Sequence, residues 1–269
     1  MMIFNITGTI LILLVFVMEV ILIFLEKPEK DVVKDLKTNF LLGLFILITG
    51  LFMKGVELTV FTFMYSISIF KPAMSWWLWV VGFLCCDFMH WYYHWLGHKT
   101  RLFWAAHVTH HSSEHFNMST GWRTNFLHLF YRFLFWSPLC FFGFPPEMIL
   151  FIESLTAMQN FLVHTQRVGK LGVLDWWFNT PSNHRVHHGV NPEYIDKNLG
   201  GITMIYDHLF GTYAREVAPP VYGITHNIHT HNPVTIIFHE FVNIGREVPK
   251  RRGLVGKIKY LLSPPSAAK

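Results

Sequence analysis

Apolar residues run almost unbroken over 8–25, 39–70, 75–94, 126–142 and 147–164, separated by short polar or proline-containing stretches. Runs of this length, at helical rise, are what a bilayer crossing requires. The pattern predicts an all-α integral membrane protein: one domain over 1–269, built as a bundle of about four to five transmembrane or re-entrant helices. The polar stretches 95–124 and 165–240 are then a histidine-rich cap on one side of that bundle. Lys27, Lys30, Lys34 and Lys37 follow the first run, and Arg246, Lys250, Arg251, Arg252, Lys257 and Lys259 lie near the C-terminal end. The positive-inside rule puts both segments, and the cap, on the cytoplasmic face, with the N-terminus outside or lumenal. With no basic segment before the first run and no small-residue cleavage site after it, that run reads as an anchor rather than a leader. Lys54 and Glu57, three apart within the second run, are expected to pair with each other toward the protein interior. Trp76, Trp77 and Trp79 mark the outer interface, and Gly143-Phe144-Pro145-Pro146 turns a hairpin that brings His164 back to the face of the other histidines.

Composition changes the picture only in places. At 52% hydrophobic and 14% charged, a soluble domain is excluded. The net charge of +5 is not gathered around any nucleic-acid-reading motif, so no nucleic-acid partner is expected. Cys85, Cys86 and Cys140 fall in apolar runs and read as small core residues rather than a disulfide framework. The 17 histidines carry the chemistry. His94 and His98 share a helical face, as do His107, His110 and His111, and that H-x-x-H-H spacing returns at His184, His187 and His188. With His164 this makes nine candidate ligands, the number that two neighbouring metal ions need when few solvent positions remain. Adjacent histidines diverge by about 100° around a helix, so each triplet can serve both metals. A soluble di-iron bundle uses carboxylates and Glu-x-x-His; carboxylates are nearly absent from these boxes. An all-imidazole pair stays more positive, which suits a centre that takes up electrons and activates O2. Neutral imidazoles suit iron, zinc or copper alike, and spacing alone does not choose among them. No flavin, haem or dinucleotide fingerprint is present, so a separate electron donor is implied. Asp87, seven residues before His94, is placed to accept the outer N–H of a ligand imidazole. Asp196, Asn198 and Asp207 are candidates for the same role or for turns and caps. His90, His115, His128, His208, His226, His229, His231 and His239 lack box spacing and read as core or surface residues.

Two rival readings use the same histidines. A metal transporter or storage protein would string ligands along a path through the bilayer, and a haem protein would use few axial histidines; two tight triplets at one face fit a closed catalytic cluster better.

The stretch Trp104-Ala-Ala-His107-Val-Thr-His110-His111 through Asn117, Thr120 and Arg123 resembles the second box of the fatty acid hydroxylase and sterol desaturase superfamily of membrane di-iron oxygenases. Asn179-Thr-Pro-Ser-Asn-His184-Arg-Val-His187-His188-Gly, with Tyr194-Ile-Asp196-Lys-Asn198 and Asp207-His-Leu-Phe-Gly, resembles the third. Val221-Tyr-Gly-Ile-Thr-His226 is most similar to the alkylglycerol monooxygenase-like branch. The resemblance covers about residues 40–240. It implies O2-dependent hydroxylation, or oxidative cleavage, of a membrane lipid such as a fatty acyl, alkylglycerol or sterol-like molecule, with desaturation as the alternative on the same site. It also implies that the nine histidines hold two iron ions, which zinc can replace in purified protein, and that Asn117 belongs to their surroundings. Electrons would come from a reductase, a ferredoxin-like protein, a b-type cytochrome or a pterin. The branch pattern has Arg and Glu after the first and second histidines of the first box; here those positions are Trp95 and Lys99.

Overall fold

The computed structural model describes residues 2–265, with side chains from residue 10 onward. The expectation of one domain over 1–269 therefore extends past the described residues at both ends. Helices α1 (Met2–Leu25), α2 (Lys30–Ser66) and α3 (Trp76–Lys99) lead into α4 (Arg101–His111). Two 3-10 turns, Met118–Trp122 and Phe126–Phe130, precede α5 (Phe133–Phe141) and α6 (Pro146–Leu162). Short helices α7 (Leu174–Trp177), α8 (Pro181–His187) and α9 (Ile205–Phe210) follow, then α10 (Pro233–Glu247) and α11 (Gly253–Leu262). Among the described residues there are no strands, only two isolated bridges, Phe178 with Thr203 and Gly189 with Tyr222. The fold is all-α.

Among the described residues, α2 alone is long and apolar enough to cross a membrane. Its 37 residues span roughly 55 Å, well beyond the hydrocarbon thickness. The excess explains a correction. The helix predicted over 39–70 begins at Lys30, because Asp35, Thr38 and Asn39 point inward and are buried while Lys30, Lys34 and Lys37 stay exposed. The supposed polar linker is the amphipathic start of α2. Lys54 and Glu57 do pair, at 2.7 Å, without breaking the helix. The run predicted over 126–142 is a 3-10 turn followed by the nine residues of α5, about 14 Å of helix, too short to cross alone. Leu11, Leu14, Leu47, Ile48, Leu51 and Phe52 remain exposed along α1 and α2, an apolar belt left uncovered by the described residues.

The core joins α2, α3, α5 and α6 through Phe61, Leu78, Cys86, Trp136, Cys140 and Met148. Gly82 lets α3 and α6 approach closely: a Cβ there would lie 2.9 Å from Met148 Sδ. Buried ion pairs tie the polar half together. Arg123 donates to Asp35 at 3.0 Å and to Asn39 on α2, and to the carbonyls of Thr109 and Ser112 at the end of α4. One guanidinium thereby ties the C-terminal end of α4 to α2, sharing the Thr109 carbonyl with the Ser112 hydroxyl. Arg101 on α4 reaches Glu240 on α10 at 2.8 Å and lies over the Tyr260 ring of α11.

Candidate metal centre

Four elements deliver the histidines. His94 and His98 end α3, and Thr100, extended at φ −128°, breaks the chain for one residue so that α4 folds back with His107, His110 and His111. His164 follows α6. Thr180 caps the N-terminus of α8 by accepting from Asn183 N, and Pro181 occupies the first helical turn, where a missing N–H costs nothing. That short helix then presents His184, His187 and His188.

All nine imidazoles converge, and they sort into two sets. His94, His98, His107, His111 and His187 form one; His110, His164, His184 and His188 form the other. Within each set one ring nitrogen per residue lies within 4.8 Å of the rest. Each triplet is divided: His110 parts from His107 and His111, and His187 parts from His184 and His188. The sets abut, with His111 and His188 stacked at 4.5 Å between ring centres.

The outer ring nitrogens define the tautomers. Nδ1 of His94 donates to the Leu199 carbonyl (2.9 Å), that of His187 to Lys197 (3.0 Å), that of His110 to Arg123 (3.2 Å) and that of His164 to Asn160 (2.5 Å). A carbonyl only accepts, so these nitrogens carry the hydrogen and each Nε2 presents a lone pair inward. Nε2 of His110 and His164 then meet lone pair to lone pair at 3.2 Å, an arrangement that calls for a cation between them. Nε2 atoms of His98, His187 and His188 are buried with no hydrogen-bond partner. Burial, reinforced by mutual repulsion, holds His107, His111, His184, His187 and His188 well below the ordinary imidazole value. His110 is lowered by burial to about 4. Neutral imidazoles with unpartnered inward lone pairs fit transition-metal ions.

One loop orients much of the five-histidine set. Asp196 and Asn198 adopt left-handed conformations (φ 59° and 54°), which short polar side chains tolerate. The backbone doubles back, aiming the Lys197 carbonyl at His187 and the Leu199 carbonyl at His94, while the Asp196 carboxylate faces His98 Nδ1 at 3.4 Å. Burial would raise the Asp196 carboxyl, but bonds from His98 and Lys99 overcome it and hold the group well below the usual range. Asp207, fully buried, accepts from Leu199 N and Gly200 N and from the Thr212 hydroxyl. Asn198 joins the loop to Ala214 and to the Asn183 carbonyl.

Asp87 is placed differently from its expected role. It accepts from Ile202 N and from Thr203, not from an imidazole, because the loop backbone intervenes. Asn117 likewise touches no histidine: it caps the first 3-10 turn through Ser119 and Thr120. Of the side chains proposed as acceptors, Asp196 reaches a histidine of the cluster directly. His115 and His231, expected to lie outside the site, pair with Asp31.

Residues 79–212 match the family model for fatty acid hydroxylase. The chain belongs to that family. All nine histidines lie inside the matched segment, as do the loop 196–200 and Asp207. Curated relatives include the alkylglycerol monooxygenases of Homo sapiens, 35% identical over 86% of this chain and 52% of theirs, and of Xenopus tropicalis, 31% identical over 96% and 58%. An ornithine lipid hydroxylase from Rhizobium tropici is 29% identical over 52% of this chain and 43% of its own. The chain spans about half the length of the curated relatives it matches. No solved structure matches it. Within the fatty acid hydroxylase segment, spacing could not reveal the carbonyls of Lys197, Leu199, Arg123 and Asn160, because a carbonyl acceptor leaves no mark in residue type.

Proposed function

We propose that this chain is an O2-dependent hydroxylase of a membrane lipid that holds two iron ions, one in each histidine set. The observation that carries the reading is a single cavity of about 460 Å³ onto which both sets open, through His94 and His107 from one and His110, His164 and His184 from the other. Five- and four-histidine cages would each leave room for a non-protein ligand at the metals. A metal pair so held would supply the activation of O2, with electrons from a separate donor, a protein or a pterin. The chain does the rest. Carbonyls of Lys197, Leu199, Arg123 and Asn160 fix the imidazole tautomers, and burial keeps the rings neutral and water out. Trp136, Phe161 and Trp122 line the apolar side of the cavity and hold a hydrocarbon segment against the cage. The relatives' names, a monooxygenase of alkylglycerols and a hydroxylase of ornithine lipids, favour oxygen insertion into a lipid; an ether-linked glycerol lipid is the first candidate. The basic start of α2 and the basic C-terminal segment favour a cytoplasmic placement of the site, with the N-terminus outside. Closed, buried sets count against a transport or storage role, which would distribute its ligands along a path.

The test is metal content and O2-dependent turnover of protein purified anaerobically with iron, supplied with lipid extract and reductant, products read by mass. About two irons per chain and a lipid gaining one oxygen supports hydroxylation. Loss of two hydrogens instead makes the chain a desaturase, which the same histidines would serve. Absence of a metal pair overturns the reading.

A further inference from the structure

A second cavity, of about 470 Å³, lies between α1 and α2, apart from the histidines. Its walls are hydrocarbon: Phe16, Val20 and Phe24, each one turn from the next on α1, face Val33, Phe40 and Leu41 on α2. Two polar side chains share the lining, Ser119 and Lys37. Ser119 is satisfied, accepting from Asn39 at 2.9 Å and donating to Asn117 at 2.7 Å, so it asks nothing of a ligand. Lys37 is exposed, and Lys30, two helical turns earlier on the same face, stands nearer the turn between α1 and α2. The acids at this end are mostly engaged. Glu19 and Glu26 hold Arg167, Asp31 meets His115 and His231, and Asp35 holds Arg123. Among the described acids there, Glu29 alone is left against Lys27, Lys30, Lys34 and Lys37. An apolar slot therefore ends in uncompensated positive charge.

The slot is walled off from the metal centre. Phe16 packs on Trp122 at 4.3 Å between ring centres and on Phe161 at 5.9 Å, and those two rings line the cavity that opens on the histidines. A hydrocarbon chain lying in the slot stops at this partition, so its owner is not the lipid presented to the metals. The volume is that of an ordinary ligand pocket, and from Phe16 to Phe24 the slot runs about 12 Å along α1.

We propose that this slot is a binding site for an anionic phospholipid that is not the substrate, held by one acyl chain between α1 and α2 and by its phosphate at Lys37 and Lys30. Lys37 lays its methylenes along the apolar wall and keeps its ammonium at the rim, where the head group sits. Arg167 and Phe16 tie α1 to the bundle, and a filled slot backs the contact of Phe16 with Trp122. Each lysine beside an anionic head is worth about fivefold in affinity; a zwitterionic head brings its own cation and gains less. The test uses the full chain, delipidated in detergent, and measures by native mass spectrometry its binding of phosphatidylglycerol and phosphatidylcholine with identical chains. Wild type is expected to hold phosphatidylglycerol at least about tenfold more tightly than phosphatidylcholine. Lys30→Gln/Lys37→Gln changes two exposed side chains and should remove that preference. Val20→Trp fills the slot and should abolish tight binding of either lipid. Lys257→Gln/Lys259→Gln, which takes charge from the other basic segment, should leave the preference as in wild type. Equal affinities in wild type, a preference that survives Lys30→Gln/Lys37→Gln, or one lost in Lys257→Gln/Lys259→Gln, overturns the proposal. So does tight binding retained by Val20→Trp; if that variant does not fold, the two lysine pairs decide.

Discussion

Replacing Asp207 by Asn should empty the five-histidine set of metal while sparing the four-histidine set. Asp207 is 0% exposed, and its two oxygens divide the work: Oδ1 takes Leu199 N at 2.8 Å and the Thr212 hydroxyl at 2.6 Å, and Oδ2 takes Gly200 N at 2.8 Å. In the Asn variant the amide NH2 must replace one oxygen, so whichever way it turns it faces a backbone N–H. At least one buried donor loses its acceptor, a cost of about 1–3 kcal/mol. If that cost falls on the loop 196–200, its native form is depopulated roughly 5- to 150-fold relative to alternatives. The same loop supplies the acceptors of His94, His98 and His187, and removing such outer partners typically lowers metal affinity by about 10–100-fold. The two magnitudes overlap, so the expected loss is one to two decades for one metal of the pair. The assay is competition of the metal-free protein with a chelator of known affinity, followed by metal counting, with thermal unfolding of both metal-free proteins as the folding control. A folded Asn variant that binds both metals with wild-type affinity would refute the reasoning.

Other outcomes follow from the same geometry. Gly200→Ala should behave like the Asn variant or worse, since its Cβ would lie 2.2 Å from the Thr203 carbonyl oxygen; metal retention after gel filtration checks it. His111→Ala and His188→Ala, stacked side by side yet in opposite sets, should each take the chain from about two metals toward about one, and spectroscopy of the remaining ion should differ between them; identical residual spectra would sink the assignment into two sets. Glu216 gives a pH test. Burial would raise its carboxyl, but bonds from Arg185 and Ser182 and the Arg185 charge outweigh burial and hold it below its ordinary value of 4.5. The group therefore contributes stability that is fully present above pH 4.5 and is lost as pH falls through the lower folded value. Glu216→Gln should be less stable than wild type at neutral pH and converge on it in acid, read from thermal unfolding. His231→Ala removes a contact to the exposed Asp31 and should leave both thermal unfolding and metal content close to wild type.

Much of this was legible along the chain. The 3,4 spacing of the boxes selected the nine histidines that the structure gathers, and the roughly 100° between neighbours on a helix anticipated that each triplet would divide. Less was legible where polar residues interrupt apolar runs. Lys30 to Asn39 reads as a linker because its lysines are conspicuous, yet Asp35 and Asn39 are there to meet Arg123, 88 and 84 positions away. Asp87 was recognised as a buried acceptor but matched with the wrong donor: its helical face points at His94 in projection, whereas in space the loop of Ile202 and Thr203 comes between.

The sequence by itself determined the all-α character, the apolar runs and the identity of the imidazole cluster, because helical periodicity and residue type are local properties. Only the tertiary structure decided which histidines share a set, which carbonyls fix their tautomers, and that a cavity joins both sets to a buried Arg132–Glu153 pair. Those depend on atoms brought together from distant segments, and backbone carbonyls and empty volume carry no signature in the order of the side chains.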